Sequence, residues 1–216
     1  MEVVKHAIIL AAGLGSRLGL NTPKCLVEIG GKAIIDYNLE LLKDIPNIYM
    51  VVGYEKEKVM EHVKKIREDV VFIENPDFRT TSNTYSLYLG LKYVKSPYLL
   101  LFGDVIFNKN DFRTFINKCD NGTLVGLTLS KSEEAVFADV EENIEMIKNF
   151  QRQPSTNYEI AGIFYFKDLE ITKNDGYVFE VLNKNLPLKY YLLRSYEIDT
   201  KNDLKIAAKN LNKLEL

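Results

Sequence analysis

The sequence holds few of the residues that bind metals through sulfur or imidazole, no apolar run long enough to cross a membrane, and no excess of positive charge. There are two cysteines and two histidines in 216 residues. Cys25 and Cys119 lie far apart with no Cys-x-x-Cys pair, so reduced thiols in a cytoplasm are the expectation. Cys25, although beside Lys24, reads as a packed thiol rather than a reactive one. His6 and His62 have no partners at metal-ligand spacing. No apolar run approaches the roughly 20 residues that a membrane span requires. The early apolar stretch follows only Lys5 and His6 and ends in a glycine loop and Arg17, which argues against a signal peptide. A net charge of −2 gives no electrostatic case for a nucleic-acid polymer or a membrane surface. Any nucleotide partner is therefore expected to be a small molecule. No repeat or low-complexity segment is present.

What is there fits a soluble enzyme. Hydrophobic residues make up 46% and charged residues 27%, and 216 residues suit one domain with a sizeable core. Up to Phe102, short apolar runs alternate with helical periodicity. Ile48–Val52, Val70–Ile73 and Tyr98–Phe102 read as strands. Ile35, Leu39 and Leu42 mark one helix, Val59, Val63 and Ile66 a second, and Leu87, Leu91 and Val94 a third. Strands apolar on both faces and alternating with helices predict an α/β fold, a mainly parallel sheet covered on both sides. After Gly122 the rhythm changes. Thr123–Leu129, Val136–Val140, Ile144–Phe150 and Tyr158–Phe166 are strand-like, with a helix near Tyr177–Asn185. They are expected to form a small antiparallel insertion, about residues 122–190, at the mouth of the sheet. A last strand, Tyr190–Ile198, ends in Asp199. A helix carrying Leu204, Ala208 and Leu211 follows, opened by a capping-box-like Thr200 and Asp203.

The stretch around which these elements are organised runs from Ala7 to Leu26. The run Ala7-Ile8-Ile9-Leu10 reads as a buried strand and breaks into Gly13-Leu14-Gly15-Ser16-Arg17. A glycine loop leaving a parallel strand points its amides outward as an anion cradle, and Arg17 and Lys24 flank it with positive charge. The dinucleotide fingerprint would need a third glycine where Leu18 stands, and the common ATPase loop would need Gly-Lys-Ser/Thr. What remains is Gly-x-Gly-x-Arg followed by Pro23-Lys24. A glycine turn with two solvated cations is the plain alternative.

This loop, with Leu26-Val27-Glu28-Ile29-Gly30-Gly31-Lys32 after it, resembles the signature of the nucleotidyltransferase superfamily, which activates phosphorylated sugars, alcohols and amines with NTPs. The short connection between Arg17 and Pro23-Lys24 looks more like the cytidylyltransferase branch. Leu-Phe-Gly-Asp104 and Tyr-Glu-Ile-Asp199 look like that superfamily's metal-binding segments, and Thr81–Leu89 is similar to the pyrimidine-side segment of phosphocholine and aminophosphonate cytidylyltransferases. The resemblance implies a Rossmann-like mixed sheet of the nucleotide-diphospho-sugar transferase type. It implies Lys24 and Arg17 as catalytic residues and Mg²⁺ held by Asp104 and Asp199. It places the nucleotide on Leu10, Ala11, Ala12, Gly13, Leu14, Gly15, Ser16, Ser82, Asn83, Ser86 and Asp104. Lys148, Ala161 and Gly162 match the acceptor segment, where Ile147 replaces the usual Glu and Arg152 is a rival to Lys148. Glu180 is a further acceptor candidate, although a surface helix carboxylate is the simpler reading.

The implied reaction transfers CMP from CTP to a small anionic acceptor such as phosphocholine, 2-aminoethylphosphonate or phosphoglutamine, with release of pyrophosphate. A sugar-1-phosphate nucleotidyltransferase using GTP, UTP or dTTP is the first alternative. A catalytically silent nucleotide-binding regulator is the second. Whether the chain forms a homodimer is left open.

Overall fold

The computed structural model describes residues 4–95, 97–120, 122–131, 134–167 and 169–215. The first apolar run is β1 (His6–Ala11), in which Ala7, Ile8 and Ile9 are fully buried. The glycine loop follows and leads to β2 (Glu28–Ile29) and β3 (Lys32–Ala33), a hairpin about Gly30-Gly31. Next come α1 (Ile34–Leu41), β4 (Asn47–Val52), α2 (Lys56–Lys64), β5 (Val71–Glu74), α3 (Asn83–Gly90) and β6 (Tyr98–Phe102). Val59 and Val63 are buried as their spacing predicts, but Ile66 lies past the end of α2 and is exposed.

Beyond Gly103 the chain forms β7 (Val105–Phe107) and α4 (Lys109–Lys118), then β8 (Leu124–Leu129), β9 (Phe137–Glu141), β10 (Met146–Gln151) and β11 (Tyr158–Phe166). It ends with α5 (Val178–Asn183), β12 (Leu188–Leu192), β13 (Ser195–Glu197) and α6 (Lys201–Asn210). Helix α4 is an element that the sequence patterns above do not include. Its start is set by Asn108, whose side chain accepts from the Asp111 amide at 2.9 Å, and its apolar face by buried Phe112 and Phe115.

Nine strands form one sheet in the order β5-β4-β1-β6-β11-β8-β12-β10-β9. The pairs β5–β4, β4–β1 and β1–β6 are parallel, and β11 joins β6 antiparallel. The antiparallel strands expected after Gly122 are thus present, and they continue the parallel sheet. One expectation fails. Tyr190–Ile198 is not a single strand: β12 lies in the main sheet parallel to β8, while β13 turns away and pairs antiparallel with β7. That turn positions the site, because it sets Glu197 against Val105 and lets the Ile198 amide donate to the Asp104 carbonyl at 2.9 Å.

Apolar clusters lie on both sides of the sheet. A third cluster packs Leu18 of the glycine loop with Ile106, Ile198 and Ala207, which ties the N-terminal loop to the last strand and helix. In α6 it is Ala207 that is buried, while Ala208, expected on the apolar face, is exposed.

Candidate active site

Glycines set the distances on which the site depends. Gly15 has φ +63°, and a Cβ on it would fall 2.7 Å from Lys24 Cγ, so only glycine lets the loop lie across the lysine stem. Gly103 donates to the Leu10 carbonyl at 2.9 Å, and a Cβ there would stand 2.9 Å from that same oxygen. The end of β6 can therefore close against the end of β1, and Asp104 follows directly.

At that junction Lys24 Nζ donates to Asp104 Oδ2 at 3.0 Å and to Asp199 Oδ1. Arg17 Nη2 donates to Asp199 Oδ2 at 2.6 Å, and its Nη1 to Glu134 Oε2 at 3.2 Å. Each oxygen of Asp199 thus faces its own cation. Asp104, Glu197 and Asp199 offer carboxylate oxygens that all lie within 4.8 Å of one another. The capping box at α6 fixes Asp199 from behind: Asp203 Oδ2 accepts from the Thr200 amide at 2.7 Å and from the Asp199 amide at 3.2 Å.

Charge follows this geometry. Burial works against the Lys24 ammonium, but Asp104 and Asp199 outweigh it and hold its pKa above the ordinary 10.5. Arg17 is likewise raised, with burial opposed mainly by Asp199. Glu197 keeps an exposed surface, yet the protein packed around its carboxyl and the like charges of Asp104 and Asp199 push it well above the usual carboxylate range.

A cleft of about 230 Å³ opens beside these groups, and its walls include Arg17, Asn83, Lys131, Glu134, Arg152, Glu159, Tyr177, Phe179, Tyr196, Glu197 and Asp199. Of the residues expected to serve the nucleotide, the loop segment Gly13–Ser16 presents its backbone. Among the described residues, no backbone carbonyl accepts from the amides of Gly13, Leu14, Gly15 or Ser16. The carbonyls of Leu10 and Ala12 are already used, by the Gly103 and Tyr54 amides, and Ala11 lies partly buried between them. Asn83 lines the cleft, its Oδ1 accepting from the Val178 amide at 3.2 Å. Ser82 and Ser86 are engaged elsewhere: Ser82 caps α3 by accepting from the Tyr85 amide, and Ser86 is buried and accepts from Asn75 Nδ2 at 2.9 Å.

The acceptor candidates separate in the same way. Lys148 is exposed, pairs with Glu141 at 2.8 Å on the β9–β10 hairpin, and is not one of the residues that line the cleft. Arg152 lines the cleft, its guanidinium 5.3 Å from the Tyr177 ring centroid and 5.4 Å from that of Phe179. Ala161 is buried, and Gly162, at φ +76°, brings β11 so close to Val105 that a Cβ would stand 2.8 Å from its Cγ2. Glu180 faces solvent and caps α5, accepting from the Tyr177 amide at 2.7 Å. Glu134 and Glu197 also stand at this site, although none of the sequence motifs above singles them out. Glu134 carries no local signal, but Glu197 stands two residues before Asp199 at the end of β13, where alternate residues share a face.

Comparison with known proteins matches residues 7–152 to the MobA-like NTP transferase domain. The bifunctional protein GlmU of Methanocaldococcus jannaschii is 30% identical over 182 residues, covering 82% of this chain and 42% of its own. Choline-phosphate cytidylyltransferase of Streptococcus pneumoniae is 38% identical over 117 residues, 52% of this chain and 50% of its own. The chain thus spans about half the length of the curated relatives it matches. The solved inositol-1-phosphate CTP transferase from T. maritima, at 20% identity, superposes with a TM-score of 0.79 over 99% of this chain and 97% of that one, which shows a shared fold. With the signature loop, Lys24 and Asp104 all inside the matched region, the chain belongs to the MobA-like NTP transferase domain family of the nucleotidyltransferase superfamily.

Proposed function

We propose that this protein is a Mg²⁺-dependent cytidylyltransferase that moves CMP from CTP to a small phosphorylated or phosphonate acceptor and releases pyrophosphate. The observation that carries the proposal is Lys24, held between two aspartates from distant parts of the chain beside a loop whose amides meet no backbone carbonyl among the described residues. Binding alone would not require that arrangement. Three carboxylates converging within 4.8 Å are hard oxygen donors of the kind Mg²⁺ prefers, so Asp104 and Asp199 would hold the ion with Glu197 alongside. Bound there, Mg²⁺ would organise the phosphate oxygens and offset their charge.

The chain's own residues supply the rest. The amides of Gly13–Ser16 and the Arg17 guanidinium receive the triphosphate tail. An acceptor phosphate oxygen, already ionised at neutral pH, attacks the α-phosphorus. The bond from that phosphorus to the bridging oxygen breaks, and pyrophosphate leaves with the electron pair. No general base is needed. Lys24 neutralises charge as it builds on the α-phosphoryl oxygens, and the protein's main work is positioning two anions. Arg152 offers a fixed cation for the acceptor, and Asn83 offers polar atoms for the pyrimidine edge.

CTP is favoured by the likeness of Thr81–Leu89 to cytidylyltransferase segments and by the choline-phosphate relative. The GlmU relatives favour a second reading, a sugar-1-phosphate nucleotidyltransferase using another NTP. We read the product as an activated small molecule for surface-polymer or lipid decoration, made in the cytoplasm. Thermal shift with each NTP and Mg²⁺ separates the two readings: selective stabilisation by CTP is expected, whereas selective stabilisation by UTP, GTP or dTTP would establish the second.

A further inference from the structure

The spot where a cation would sit is also the spot where Lys24 ends. Its ammonium touches Asp104 Oδ2 and Asp199 Oδ1, and the side chain is only 16% exposed, so this is a seated group and not a solvated one. The stem passes under Gly15 with no room for a methyl group between them, which fixes its approach to the carboxylates. Arg17, by contrast, takes only the other oxygen of Asp199 and is half exposed.

We infer that Lys24 is the resident counter-ion of its own metal site: the ammonium and a divalent cation take the same place between Asp104 and Asp199 and exclude one another. The inference rests on the proposed reading of these aspartates as metal-holding. A Mg²⁺ ion about 2.1 Å from an oxygen of each aspartate would fall within contact distance of an ammonium bound to the same oxygens. Two positive charges that close repel strongly in a partly buried site. Displaced from the carboxylates, Nζ would turn about the last bonds of the side chain toward the loop that covers its stem, where the proposed triphosphate would lie. Metal binding thereby arms the catalytic lysine, and before it arrives the carboxylates are already neutralised. By linkage the exclusion is reciprocal: whatever weakens the lysine's hold strengthens the metal's.

The test is a titration of the full chain with Mn²⁺ alone, without nucleotide, followed by the electron paramagnetic resonance of free Mn²⁺. Lys24→Met, which keeps the stem but loses the charge, should tighten Mn²⁺ by about tenfold or more, and Lys24→Arg should not. Arg17→Gln removes an equal charge from the same aspartate without vacating the seat, and should tighten Mn²⁺ by less than about threefold. Equal tightening in Lys24→Met and Arg17→Gln would reduce the effect to net charge and overturn the inference. So would unchanged or weaker binding in Lys24→Met. Asp104→Asn serves to separate the layers. If it leaves Mn²⁺ affinity untouched, the metal reading itself fails; if it abolishes binding while Lys24→Met does nothing, only the exclusion fails. Should Lys24→Met not fold, acylation of Lys24 in the unaltered chain carries the test: Mn²⁺ should speed its labelling, and slowing would contradict the exclusion.

Discussion

In the proposed reaction Lys24 acts at the transition state, where it neutralises the charge that builds on the α-phosphoryl oxygens. Because its role is at the transition state, Lys24→Ala should reduce pyrophosphate release about a thousandfold while CTP affinity changes less than about tenfold. Equal loss of both would assign Lys24 to binding alone. Its folded pKa lies above the ordinary 10.5, so its contribution to stability is present below that value and fades only as pH rises through the higher folded one. No lysine deprotonation should therefore shape kcat/KM, which reports the substrate-free protein where Lys24 still sits on the aspartates, between about pH 6 and 9, and a fall there in wild type that Lys24→Arg abolishes would contradict the assignment. The neighbouring thiol is the opposite case. Cys25 is buried, and that burial pushes its pKa up to about 12. At pH near 8 iodoacetamide should leave it unmodified in the folded protein and label it in denaturant, as mass spectrometry of the peptide would show.

Among the elements, the glycine loop and the α6 cap do the positioning. Gly15→Ala must place a Cβ at φ +63° and into the Lys24 stem, which should cost about 1–2 kcal/mol by chemical denaturation and lower turnover with it. Asp203→Ala removes the acceptor of the Thr200 and Asp199 amides. It should cost about 1 kcal/mol and slow pyrophosphate release more than that loss explains, because Asp199 is freed. Full activity in Asp203→Ala would show that Asp199 holds itself in place. These elements also show what the sequence makes legible. The buried β1 run and the helix carrying Ile35 and Leu39 announce themselves because their periodicity is the packing. The break between β12 and β13 does not. Leu193 is buried and Arg194 exposed, so alternation runs straight through the turn, and neither glycine nor proline marks it. What bends the chain is tertiary: the Leu193 amide donates to Leu127, while the Arg194 carbonyl accepts from Asn108 in the next layer. Ser86, expected at the base, is likewise set by tertiary structure, which buries it against Asn75.

At the scale of the whole molecule, the site exists because the two ends of the chain meet over the sheet. The loop after β1 brings Arg17 and Lys24, the end of β6 leads to Asp104, and the segment just past β13 sets Asp199 alongside it. Each motif is visible alone in the sequence, but their meeting depends on the β7–β13 pairing, which no local pattern encodes. The end of the cleft proposed for the acceptor is the least legible, since Lys148 and Arg152 differ by four positions along one segment and only the fold sets Arg152 in the cleft wall. The most direct measurement of the central claim is pyrophosphate release with Mg²⁺, each NTP in turn and a panel of phosphorylated and phosphonate acceptors, repeated with Asp104→Asn and Asp199→Asn. The expected result is release with CTP and one amino-phosphate or phosphonate acceptor, lost in both variants. Release that survives both substitutions, or none with any NTP across the panel, would contradict it.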